Sequence, residues 1–136
     1  AIQLKQEDID KHLKLWKETD LKDYDMIMRK TVGVGGKEEI YAIKVRNRVV
    51  QDVMLDGRPL PKEPQQTEDP RIYYSMDIFF RDIQRFMDFD TKPDAPKVHK
   101  VASFDEHNGA ILHYVRYEMR TKNRIEMTIK LTPIEK

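Results

Sequence analysis

The chain predicts one α+β domain of 136 residues, a six-stranded, mainly antiparallel sheet with two helices packed on one face. Three observations lead there. An apolar stripe at helical spacing, Ile9, Leu13 and Trp16, returns as Phe79, Ile83 and Phe86, displaced by the same number of residues at all three positions. Each stripe is followed by three runs of alternating residues parted by Gly or Asn turns. Both stripes then need a common apolar surface, which the inward strand faces supply. The reading is an α-β-β-β unit used twice, over about 6–57 and 75–132, with a Pro-rich crossover at 58–74. A dimer that splits the repeats between chains is the competing arrangement.

The first helix is expected at 6–18, with Glu7 and Asp8 at the positive end of its dipole and Lys11, Lys14 and Lys17 on the faces away from the stripe. Trp16, the single tryptophan, closes the stripe and reads as a core anchor rather than a ligand platform. His12, among lysines, is expected in solvent.

The first strand is expected at 24–32, with Tyr24, Met26 and Met28 on one face. Gly33, Gly35 and Gly36 then have the look of a phosphate-cradling loop. Such a loop needs a helix after it so that amides point at the phosphate; alternating Tyr41, Ile43 and Val45 make the next element a strand, 39–46, and the glycines a hairpin turn. Asn47-Arg48 turns the chain into a third strand, 49–55, ended by Asp56-Gly57. The crossover holds Pro59, Pro61, Pro64 and Pro70, and proline removes a backbone donor and fixes φ, so no regular element is expected there.

Ser75 is the expected N-cap of the second helix, 76–87, and 88–96 a second link. Three strands follow at 98–104, 110–120 and 125–132. Asn108-Gly109 is a strong hairpin signal. Ile125, Met127, Ile129 and Leu131 alternate with Glu126, Thr128, Lys130 and Thr132, one buried face and one wet face.

Charge narrows the function classes. Charged residues make up 36% of the chain, yet 25 Lys and Arg meet 24 Asp and Glu with the signs interspersed, so the clustered basic excess of a nucleic-acid binder is missing. Without cysteine there is no disulfide, thiolate nucleophile or Cys-held zinc. No apolar run approaches the roughly 20 residues that span a bilayer. The chain begins at Ala1, which a cleaved signal peptide and a trimmed start both explain.

The residues name no catalytic, cofactor-binding or metal-ligating set. Ser75 and Ser103, the only serines, lack the context of a nucleophile elbow. His107, in the acidic 105–109 turn, has no second ligand at a defined spacing. His99 and His113 lie on strands that pair around that turn. A register summing to about 214 sets Val101 beside His113 and His99 one pair further along, so the two histidines share a face as a low-probability polar site.

The strand faces turned from the core are a more physical signal. With Val49, Val53 and Leu55 inward, Val50 and Met54 point out; with Ile111, Val115 and Met119 inward, Leu112 and Tyr114 point out. Those four form either a partner-binding patch or a surface covered by a helix or the crossover. Tyr73 and Tyr74, at the end of the crossover, either recognise a partner or staple the loop to the second helix.

These residues resemble a family of small bacterial proteins of unknown function, often exported or lipid-anchored. The family pattern has a tryptophan late in a first helix, here Trp16, then a Tyr that opens a strand, here Asp23-Tyr24. A hairpin ending in an Asp-Gly-like turn matches Ile43, Val45, Val49 and Gly57, and a helix with a Phe-x-x-Ile core matches Ser75, Phe80 and Ile83. A late hairpin carrying Val, Phe or Tyr followed by Asp, and then Gly matches Val101, Phe104, Asp105 and Gly109. Members often carry cysteines in the first hairpin and a proline after the late glycine; here cysteine is absent and Ala110 follows Gly109. The resemblance implies an exported, periplasmic, extracellular or lipid-anchored protein without enzymatic chemistry. The functional expectation is a domain that binds a protein, peptide or envelope component, alone or as a homodimer, without cofactor. The alternative is a small enzyme or metal-binding protein using His99 and His113.

Overall fold

The computed structural model describes residues 2–61, 64 and 67–135, Ile2 by its backbone alone. Lys62, Glu63, Gln65 and Gln66 of the expected crossover lie outside the described residues. The elements run β1 (Ile2–Gln3), α1 (Gln6–Thr19), β2 (Tyr24–Val32), β3 (Glu38–Arg46), β4 (Val49–Leu55), β5 (Arg58–Pro59), a 3-10 turn (Pro70–Tyr74), α2 (Met76–Asp90), β6 (Val98–Phe104), β7 (Ile111–Glu118) and β8 (Arg124–Pro133). The strands form one antiparallel sheet in the order β1-β6-β7-β8-β2-β3-β4-β5. The architecture is α+β with both helices over one face. The six expected strands are the six long ones. Among the described residues the sheet has eight, because the two-residue strands β1 and β5 pair along its outer edges.

The α-β-β-β order occurs twice, but the two units are not copies in space. The sheet lays β6-β7-β8 and β2-β3-β4 side by side in the same lateral order, while the antiparallel β8–β2 junction makes β6 run opposite to β2. A rotation that keeps lateral order and reverses strand direction also turns the sheet over. It would put the helices on opposite faces, whereas α1 and α2 share one core.

The apolar face of each element explains its place. β2 buries Tyr24, Met26 and Met28, β3 buries Tyr41, Ile43 and Val45, and β8 buries Met127 and Ile129, all beneath the helices. α1 buries Ile9, His12 and Trp16, so its inward face is turned slightly from the expected stripe and Leu13 lies at its border. His12 is therefore not in solvent. Its ring stacks on Phe104 at 4.1 Å, Nδ1 lies 2.7 Å from the Asp8 carbonyl oxygen and Nε2 3.0 Å from a Glu106 carboxylate oxygen.

Trp16 is a core anchor, as its position predicts. Its indole N–H donates to Asp77 at 2.8 Å and its ring meets Tyr24 edge-on, while the Met76 amide donates to the Tyr24 hydroxyl at 3.1 Å. One tryptophan and one tyrosine thus tie α1, β2 and the start of α2 together. Gly109 completes this end of the molecule. Its φ is +83°, and a Cβ there would stand 2.2 Å from the His12 carbonyl oxygen and 2.7 Å from the Trp16 amide nitrogen, so only glycine lets the 105–109 turn reach α1.

Ser75 caps α2 by accepting from the Ile78 amide at 3.2 Å. The helix runs three residues beyond its expected end at Met87. The cause is tertiary: the Asp90 side chain is fully buried, where Arg116 grips it with two bonds of 3.0 and 2.6 Å and Lys100 stands at 3.5 Å.

Candidate functional site

The register moves most of the expected site residues. A bulge between Ser103 and Phe104 shifts the β6–β7 pairing so that Ser103 faces His113, Val101 faces Val115 and His99 faces Tyr117. His99 and His113 do occupy the same face of the sheet, the one away from the helices. They stand four residues apart along the strands, about 13 Å, too far to act on one atom. His113 pairs instead with Glu126 at 2.8 Å, and that hydrogen bond, joined by Arg124 at 3.2 Å, holds the Glu126 carboxyl below its ordinary range against the opposing effect of burial. Among the described residues no cluster of three or more His, Asp or Glu is arranged to hold a metal ion.

The same bulge reverses the β7 faces around Leu112. Tyr114 is not outward: it is 1% exposed, beneath α2, and Val115 takes the other face. A second bulge, between Lys44 and Val45, does the same on β4, so Val50 packs against the core opposite Val45 and Val49 is exposed. Met54 does point away from the helices, beside Ala42 and Ile27, and Leu112 is half-buried. The four residues therefore do not make one patch. Tyr74 packs on Tyr41 at a ring distance of 5.3 Å and against the core, whereas Tyr73 is 42% exposed, its hydroxyl bonded to Glu68 and its ring under the Arg81 guanidinium at 5.8 Å.

A concavity lies where no single stretch of sequence points, between the second half of α2 and the helix-side face of β7, β8 and β2. It measures about 590 Å³, within the range of small-ligand sites. The pairing builds its floor in two rows. Tyr114, Met127 and Lys30 are neighbours across β7, β8 and β2, and Arg116 and Ile125 form the row beyond. Ile83, Phe86 and Phe89 of α2 supply the apolar roof, with Asp82 and Arg85 beside them and Glu118 at the far end of β7. Phe89, 47% exposed, stands at the mouth.

Two features set this cleft apart electrostatically. Asp90, Arg116 and Lys100 form a buried set of one anion and two cations, and the Arg116 guanidinium also lies 4.9 Å from the centre of the Phe86 ring. The Asp90 hydrogen bonds raise the Arg116 pKa, so the charge is permanent. Phe86 also stacks on Tyr114 at 6.3 Å. The Tyr114 hydroxyl is the one buried side-chain polar atom without a hydrogen-bond partner among the described residues, an omission that costs about 1–3 kcal/mol. Burial pushes its pKa up, with Arg116 acting the other way, so it is a neutral O–H donor.

The sequence reading missed this site. Phe86, Phe89 and Asp90 continue the i, i+3, i+4 rhythm of α2, which was the one available signal; nothing local links Lys30 to Met127 and Tyr114.

No family model matches the chain, and neither a curated protein nor a solved structure matches it. No helix among the described residues is long and apolar enough to cross a membrane.

Proposed function

We propose that the protein is a non-enzymatic, exported bacterial binding domain for an envelope component, and that the cleft beneath the second half of α2 is where it binds. The observation that carries this reading is the cleft's lining: apolar side chains on both floor and roof, with the charged Lys30, Asp82, Arg85, Arg116 and Glu118 around them. That composition suits recognition of an amphipathic molecule. Export and lipid anchoring rest on the family resemblance alone. Tyr73 and the Ile27–Met54 strip on the opposite face are secondary contact regions for a protein or peptide. The small-enzyme or metal-binding alternative has less support, because His99 and His113 would have to act across about 13 Å.

A neutral apolar fluorophore, Nile red, tests the cleft. Its emission should rise and shift to the blue with the full chain, and Phe89→Glu should abolish the change while leaving the thermal midpoint within a few degrees. An unchanged response in Phe89→Glu overturns the cleft as the site. Recovery of the protein from the cytosolic fraction of cells expressing the full gene overturns export.

A further inference from the structure

We propose that the cleft takes a single-chain organic anion, an apolar body with a carboxylate head, held by Lys30 and Arg85 at the mouth; this deepens the binding reading above and rests on it. The argument is the distribution of charge. Of the two carboxylates at the cleft, Asp82 lies 3.6 Å from Arg81 and Glu118 accepts from the Asn123 amide at 3.0 Å. Lys30 and Arg85 make no ion pair among the described residues. Glu39, the cross-strand neighbour of Lys30, accepts instead from the Tyr41 hydroxyl at 3.3 Å. Glu118 also makes no ion pair among the described residues, and its carboxylate acts on Arg116, which offsets the second cation of the Asp90 set. Lys30 and Arg85 remain as the excess positive charge at the cleft.

The floor sets the length of the ligand. Tyr114 lies in the same floor row as Lys30, two strands away across Met127, about 10 Å. An apolar body lying on Met127 and Ile125 under Phe89 has its charged end at Lys30 and Arg85 and its other end toward the Tyr114 ring.

The test displaces Nile red with three ten-carbon amphiphiles that share one tail: decanoate, decanol and decyltrimethylammonium. Decanoate should compete about tenfold better than decanol, and decyltrimethylammonium worst. Raising the salt concentration should weaken decanoate and leave decanol unchanged. The double variant Lys30→Gln/Arg85→Gln should bring decanoate down to decanol while Nile red itself still binds. Equal competition by all three amphiphiles, or no salt effect on decanoate, overturns the anion assignment while the cleft stands. Failure of Nile red to bind at all overturns the cleft reading instead.

Discussion

The two ends of the layer between helices and sheet are built to opposite standards. Under α1 every buried polar side chain among the described residues has a partner: the Trp16 indole on Asp77, the Tyr24 hydroxyl on the Met76 amide and the His12 ring between Asp8 and Glu106, with Gly109 pressed on the α1 backbone. Under the second half of α2 there is open volume, a charge set with a surplus cation and an O–H with no partner. Both ends use aromatic residues and both are roofed by a helix, so composition does not distinguish them. The distinction is saturation. At the α1 end the buried polar side chains are paired, although a smaller hollow of about 280 Å³ lies beside Trp16, Tyr24 and Asp77; at the other end the Tyr114 hydroxyl has no partner among the described residues.

The sharpest way to break that contrast is Gly109→Ala. It combines a left-handed backbone with collision against α1, and should cost about 3 kcal/mol or more, read as a collapse of the urea midpoint or loss of soluble protein. Asp90→Ala comes next. It leaves two buried cations without an anion and should cost about 3 kcal/mol, whereas Asp90→Leu/Arg116→Met should lose less than the single change; a double variant worse than Asp90→Ala would overturn the charge account. At the α1 end, Trp16→Phe removes volume and the bond to Asp77 and should cost about 2 kcal/mol by chemical denaturation.

A smaller effect tests the opposite face. Because the Glu126 carboxyl is held below its ordinary value when folded, its contribution is complete above the unfolded value and disappears as pH falls through the lower folded one. Glu126→Gln should therefore lower stability slightly at neutral pH and make no difference at the acid end of a thermal-midpoint series. The pair is half-exposed, so solvent screening keeps the effect to a few tenths of a kcal/mol. Opposite in sign, Tyr114→Phe should leave free-protein stability unchanged or raise it by about 1 kcal/mol, since no hydrogen bond is lost. A clear drop in the thermal midpoint would show that the hydroxyl has a partner and that the two ends are alike.

Strong local patterns made much of the fold legible. The alternation of β8, the Asn108-Gly109 hairpin, the Ser75 cap and the Trp16 anchor all follow from a few adjacent residues and simple sterics. The two bulges do not announce themselves in that way. Each adds a residue to one strand of a pair and reverses which side chains face in, so Val50 and Tyr114 were assigned to the wrong face by an argument that was correct on either side of the irregularity. Asp90 falls within the expected 88–96 link because its partners Lys100 and Arg116 become neighbours only through the fold. The cleft was hidden for the same reason: Lys30 meets Met127 only once β2 and β8 are paired.

That pairing has a consequence for how the molecule comes into being. β8 is the last strand in chain order yet occupies an inner place in the sheet, between β7 and β2, where Met28 lies against Ile129, roughly a hundred residues distant. A nascent chain ending before residue 124 therefore holds two separate hairpin assemblies, each with a raw strand edge and half a core. Closing so large a loop is slow, because the entropy is lost before the long-range contacts form. The vulnerable moment for this protein is thus the interval between emergence of β7 and insertion of β8, when chaperones have most to protect.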